Sequence, residues 1–175
     1  MDLQKLFLTF FGAGLSPKAP GTAGSLAALV AGLPVIYFLG LESLAILTLA
    51  ITIVGIFEIN RYENRVKEHD AQEIVIDEVA GMWLTMIIAY PIGAEVGYGF
   101  GVILSFVLSF LTFRLFDIWK PSTIGWIDRK VQGGLGVMGD DILAGLAAGL
   151  LSGVMCKADL GLWAMISSRD LLPDY

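Results

Sequence analysis

Two pairs of neighbouring acids, Asp77 with Glu78 in VIDEVAGMWL and Asp140 with Asp141 in GVMGDDILAG, each stand at the edge of a long apolar stretch. A single carboxylate is enough to cap a helix, accepting hydrogen bonds from free N–H groups and complementing the positive end of the dipole. Two adjacent ones at a low-dielectric boundary repel each other unless they share a cation. Four unrelated caps are the plain alternative, and a shared divalent cation accounts better for the pairing. Hard oxygen donors suit Mg²⁺, with Mn²⁺ as its substitute, rather than Zn²⁺. One His in the whole chain also rules out a zinc centre built on several imidazoles.

A second group lies in FRLFDIWKP. Arg114 and Asp117 are three residues apart and share a helix face, and Lys120 follows just before Pro121 stops the helix. They read either as a local ion pair with a snorkelling lysine or as phosphate ligands, Arg through its bidentate fork and Lys as a point charge. A third group is SPKAPGTAGS, where Gly21 permits close backbone approach and Thr22 and Ser25 offer hydroxyls at a helix N-terminus, a natural anion site. It lacks the GK[ST] ending of a nucleotide-binding loop, so no nucleotide is expected. The GGLG run before Asp140 is either a flexible connection or backbone that passes close to a ligand. Four carboxylates, an arginine, a lysine and glycine-rich helix entrances together fit a metal-assisted reaction at a phosphate. Cys156 has no Arg six residues later, so a cysteine phosphatase loop is absent, and a lone His cannot supply a His-dependent acid phosphatase pair. The single cysteine also excludes an internal disulfide.

The elements that must position these groups are apolar helices. Of the 175 residues, 56% are hydrophobic and 16% charged, against about 25% charged in an average soluble domain, and the mean hydropathy is +0.75. The 23 uncharged residues between Lys18 and Glu42 and the 18 from Val96 to Phe113 are long enough to cross a hydrocarbon core of about 30 Å. Ser43–Phe57, Val79–Ala94 and Ile142–Cys156 offer only 15 or 16 each, so their extent is left open between spanning, tilted and interfacial. The fold expected is all-α, a polytopic helical membrane protein of about five embedded helices. Residues 1–175 form one domain, without internal repeat, linker or low-complexity tract.

The opening LFLTFFGAGL is broken by Gly12 and Gly14 and lacks a clear cleavage site, so it reads as an interfacial segment rather than a signal peptide. With a cytoplasmic N-terminus, nine basic residues (Lys5, Lys18, Arg61, Arg65, Lys67, Arg114, Lys120, Arg129 and Lys130) fall inside and two, Lys157 and Arg169, outside. That is the positive-inside pattern. The stretch from Arg61 to His69 reads as the second helix continuing into water, with His69 on its surface. The polar segments before the first helix, between the second and third and between the fourth and fifth, which carry all of these groups, then share the cytoplasmic side.

Taken in order, SPKAPGTAGS, DEVAGMW, FRLFDIWKPSTIGWIDR and GGLGVMGDDILAG resemble the phosphatidylglycerophosphatase A family of bacterial inner-membrane lipid phosphatases, over roughly residues 12–150. One departure is Thr123, where the family usually has a second proline, which bears on the local loop shape. The resemblance implies Mg²⁺-dependent removal of the terminal phosphate of phosphatidylglycerophosphate, giving phosphatidylglycerol and inorganic phosphate at the cytoplasmic face. It further implies Asp77, Glu78, Asp140 and Asp141 as metal ligands, with Arg114, Asp117 and Lys120 as the accompanying polar cluster. In that expectation Arg114 and Lys120 hold phosphate oxygens, with Gly21, Thr22 and Ser25 on the substrate side. Asp117 or a member of either acidic pair serves as general base, and an aspartyl-phosphate is the alternative route. The expected partners are the lipid and the membrane, not nucleic acid. A transporter would place ionisable groups near helix centres, and a head-group transferase would need a nucleotide-lipid donor motif. Neither is found.

Overall fold

The computed structural model describes the backbone of residues 2–67, 71–97 and 99–169, and the side chains of those before 159 except 122 and 128. Among them seven α-helices follow one another: α1 (Leu3–Leu8), α2 (Pro20–Leu39), α3 (Leu41–Val66), α4 (Ile76–Val96), α5 (Phe100–Trp119), α6 (Ser122–Lys130) and α7 (Gly134–Arg169). A 3₁₀ turn at Ala13–Leu15 joins α1 to α2, and no strand occurs among the described residues. The chain is all-α, as the uncharged windows predict. In lipid every backbone polar group must be satisfied internally, and helices do this within one segment.

Among the described residues five helices are long and apolar enough to cross a membrane: α2, α3, α4, α5 and the Gly134–Ala158 part of α7. The three windows left open by the sequence are all among them. Each helix outruns its uncharged core because it incorporates polar residues at one end: Arg61–Val66 in α3, Asp77 and Glu78 in α4, and Gly134–Asp141 in α7. The continuation of α3 past Arg61 matches the sequence as far as Val66, where Lys67 at φ +62 ends the helix, while His69 lies outside the described residues.

The centre of the bundle is the α4–α7 pair, joined by glycine. A Cβ on Gly145 would sit 3.0 Å from the Cα of Gly81, and one on Gly149 would sit 2.8 Å from the Cβ of Ile88. Thr85 Oγ1 donates to the Gly145 carbonyl at 3.1 Å. Small residues allow this close backbone approach, which is how helices associate where lipid removes the hydrophobic drive. Around this pair α2 is held by Trp83 Nε1 donating to the Ala28 carbonyl at 2.8 Å. Helix α5 is held by Thr112 Oγ1 and Ser152 Oγ, 2.9 Å apart, and by the fully buried Phe113 ring, which packs on Gly81. Outward, Ile46, Phe57 and Ile103 are exposed apolar side chains, suited to lipid.

Successive spans run up and down. The starts of α2, α4 and α7 and the ends of α3 and α5 consequently meet at one end of the bundle. There the N-terminal segment forms a strap. The Val75 N–H donates to the Leu8 carbonyl at 2.9 Å, Lys5 Nζ lies 2.6 Å from a Glu73 carboxylate oxygen, and Tyr62 donates to the other. Gln4 Nε2 reaches Glu58 at 2.8 Å. Leu3 and Phe11 stay exposed, which suits the interfacial placement read from the sequence. The Lys5 ammonium, then the Tyr62 hydroxyl, hold the Glu73 carboxyl below its ordinary value. The strap thus fixes residues 73–75, the segment from which α4 starts.

Candidate active site

At this end a cavity of about 560 Å³ opens between α2, α4, α5 and α7. Asp77, Glu78, Arg114, Asp117, Lys120, Asp140 and Asp141 all line it, together with Gly21 and Thr22. Groups up to 120 residues apart in sequence share one chamber.

The acids of α4 occupy its first turn. The N-cap is Val75, with no side-chain cap hydrogen bond, so Asp77 and Glu78 are not caps, although they complement the helix dipole. The other pair departs further from the sequence reading. Helix α7 begins at Gly134, so Asp140 and Asp141 lie in its second turn, beyond the free N–H groups. The glycines of GGLG explain this early start. Gly133 takes φ +73, the Gly134 N–H donates to Asn60 Oδ1 at 2.8 Å, and a Cβ on Gly134 would come within 2.9 Å of the Ile56 backbone. The run is a tight helix entrance packed on α3, not a flexible connection.

Three carboxylates converge. One oxygen each from Asp77, Glu78 and Asp141 lies within 4.8 Å of the others. Asp77 and Asp141 are buried, and Glu78 is half-buried. Glu78 Oε2 is buried with no hydrogen-bond partner among the described residues. Three carboxylates so close, one with an unsatisfied oxygen, are costly without a cation. The donor set contains oxygen alone, fitting Mg²⁺ or Mn²⁺.

Cations border the same cavity. Arg114 donates through Nη1 to Asp117 and, at 3.3 Å, to Ser25 Oγ. Its Nε is buried without a partner among the described residues, leaving a donor for which an anion would be the natural complement. The Arg114–Asp117 ion pair read from the sequence forms, and both of its members line the cavity. Lys120 Nζ meets Asp140 Oδ2 at 2.6 Å. It caps α5 in the left-handed region at φ +44, with its N–H on the Phe116 carbonyl at 2.8 Å.

Helix α2 closes the chamber. A Cβ on Gly21 would lie 3.2 Å from Arg114 Nη1 and in contact with Glu78, so only glycine lets the backbone pass between cation and carboxylate. Ser25 is buried and donates to the Gly21 carbonyl at 2.8 Å while receiving Arg114. It supports the arginine, whereas Thr22 is exposed at the mouth. Lys18 and Gln72 also line the cavity and were not among the residues singled out from sequence. Lys18 lies within SPKAPGTAGS, where the glycine and the hydroxyls carry the anion-site signal, and Gln72 carries no sequence signal.

A family model described as Phosphatidylglycerophosphatase A matches residues 6–156. A Phosphatidylglycerophosphatase A of Escherichia coli (strain K12) is 39% identical over 145 residues, covering 81% of this chain and 77% of that protein. One of Haemophilus influenzae is 35% identical over 138 residues, 79% of each. A Bacteroides thetaiotaomicron protein named "Putative phosphatidylinositol-3-phosphatase" is 36% identical over 156 residues, 87% of this chain and 92% of its own length. No solved structure matches the chain.

Proposed function

Since the chain belongs to the phosphatidylglycerophosphatase A family and is a membrane phosphoric monoester hydrolase, we propose that it removes the terminal phosphate of phosphatidylglycerophosphate. The products are phosphatidylglycerol and inorganic phosphate, and the reaction depends on Mg²⁺ and runs at the cytoplasmic face of the bacterial inner membrane. The observation that carries this reading is the pairing of unsatisfied groups. Glu78 Oε2, an acceptor in want of a cation, and Arg114 Nε, a donor in want of an anion, border one cavity.

Asp77, Glu78 and Asp141 would hold the Mg²⁺. When bound, the ion neutralises phosphate charge and polarises the phosphoryl group. Arg114 and Lys120 receive phosphate oxygens, and the N-terminus of α2 at Gly21 and Thr22 lies beside Arg114. Asp117 stands outside both the carboxylate trio and the Lys120 pair, and it takes a proton from the attacking water. The water oxygen bonds to phosphorus as the phosphorus–oxygen bond to the glycerol breaks. The departing alkoxide takes up a proton to become the glycerol hydroxyl.

The charge distribution supports the orientation. The nine basic residues expected inside belong to segments at the site end, and Lys157 and Arg169 lie toward the other end of α7. The Bacteroides relative's name points to another lipid phosphomonoester, so head-group choice is the finer part of the test. Purified protein is assayed for phosphate release from phosphatidylglycerophosphate, phosphatidylinositol 3-phosphate and phosphatidate, with and without Mg²⁺. The expected result is release from phosphatidylglycerophosphate above the other two, and only with Mg²⁺ or Mn²⁺. Full activity in excess chelator would sink the metal assignment, and preference for another lipid would replace the substrate.

A further inference from the structure

Adjacent residues of an α-helix are rotated by about 100°, so two neighbouring aspartates cannot present their carboxylates to the same partner equally. Asp140 and Asp141 are both nearly fully buried, yet they face different helices. Asp141 turns to α4 and completes the trio with Asp77 and Glu78. Asp140 turns to the end of α5, where its Oδ2 accepts from Lys120 Nζ at 2.6 Å.

Lys120 stands where its placement needs support. It is the last residue before Pro121, in a left-handed backbone conformation at φ +44 that non-glycine residues seldom adopt. Its side chain is a flexible four-carbon stem ending in a point charge, which by itself fixes no direction. A buried carboxylate within hydrogen-bond distance supplies one. Arg114 is served in the same way on the neighbouring turn by Asp117 and Ser25. Each cation that borders the chamber on α5 is thus seated by its own acid.

We propose that Asp140 is a positioning residue for Lys120, holding the ammonium toward the substrate phosphate, and that it does not bind the cation. This rests on the reading of the site as a metal-assisted phosphomonoesterase. It divides the five acids of the chamber into three that hold the ion, one that seats Lys120 and one that pairs with Arg114.

The test uses the purified full chain with Mn²⁺ as probe, read by electron paramagnetic resonance, beside steady-state hydrolysis of phosphatidylglycerophosphate. Asp140→Asn should keep the Mn²⁺ Kd within about twofold of the unaltered chain, whereas Asp141→Asn should weaken it at least about tenfold. Asp140→Asn should lower kcat/KM by roughly 10- to 100-fold, the usual cost of removing a group that orients another. Adding it to Lys120→Met should then cost little more than Lys120→Met alone, because both remove one interaction. Asp140→Glu, which keeps the carboxylate, should recover part of the loss. Mn²⁺ binding impaired equally by Asp140→Asn and Asp141→Asn would overturn the proposal, as would losses at 140 and 120 that simply multiply. Absence of Mn²⁺ binding in the unaltered chain would instead refute the metal reading, while the 140–120 coupling would still decide the positioning role.

Discussion

The two ends of the bundle are made from the same helices and both contain a cavity, yet only one of these two cavities gathers charged side chains. At the site end, about 560 Å³ is bordered by five carboxylates together with Lys18, Arg114 and Lys120. At the far end, a larger space of about 700 Å³ between α2, α4 and α5 is lined by side chains such as Leu33, Ile36, Val102 and Phe106, with Tyr90 stacked on Phe106 at 5.9 Å. Volume therefore does not mark the active site. Convergent polar groups do, because they are expensive to bury and must be repaid by a ligand. The helices reconcile the two ends by segregation: the charges that border the site cavity lie in the turns nearest it, and the apolar length between the ends goes to packing and lipid contact.

The largest effect should come from the trio. Glu78→Gln keeps the shape of the side chain but removes the charge of the acid whose Oε2 is left unsatisfied. We expect kcat/KM to fall by about 10³-fold, with helical content by circular dichroism unchanged. An activity loss of less than about tenfold would detach the trio from catalysis and erase the main difference between the ends. Next in size is Gly145→Leu, halfway along the α4–α7 seam. Its side chain would press on Gly81 and cost roughly 1–3 kcal/mol of overpacking, measured by denaturant unfolding in detergent micelles. Because the seam sets the distance between Asp77 and Asp141, activity should fall with stability. A variant that loses stability but keeps full activity would show that the site is not positioned from the seam.

A smaller effect concerns the strap. Lys5, then Tyr62, hold the Glu73 carboxyl below its ordinary value near 4.5. A carboxyl depressed in the folded state contributes stability that is fully present above its unfolded pKa and is lost as pH falls through the folded value. Amide-exchange protection of residues 3–15, corrected for intrinsic rates, should thus stay constant from about pH 8 to 5 and weaken only in stronger acid. Glu73→Gln should show the weakened protection already at neutral pH. Protection that changes between pH 8 and 5 would assign the strap's hold to another group.

Much of this was legible before any coordinates. Composition and uncharged windows reveal five spans, because lipid demands apolar length whatever the packing. The doubled acids stand out by residue type and spacing alone, and all four line the cavity. What the sequence hides is register and partner. GGLGVMG reads as loop because glycine disfavours helix by about 1 kcal/mol per residue, yet close approach to α3 at Ile56 makes it the first turns of α7. Asp140 and Asp141 therefore look like caps and are not. Their separation, one toward α4 and one toward Lys120, depends on where two other helices lie. The spacing Gly145, Gly149 and Gly153 also passes unnoticed inside an apolar run, although it builds the seam that brings the trio together.

The smallest expected effect tests the far end itself. Lys157 and Glu95 form an ion pair there at 3.5 Å, with both side chains more than 60% exposed. Exposed pairs contribute about 0–1 kcal/mol, and this one joins α4 to α7, the two helices that also carry the trio. If the ends are independent, Lys157→Ala should change kcat/KM by less than about twofold and leave the Mg²⁺ dependence alone, with Tm moving by no more than a few degrees. The same two helices, however, could transmit a shift along the glycine seam, since backbones in direct contact yield little without moving together. A loss of tenfold or more from a residue so exposed could not come from its own electrostatics across the bundle, where screening acts within about 10 Å. It would mean that α4 and α7 move as one lever, and the far end would then belong to the machinery that holds the site in register.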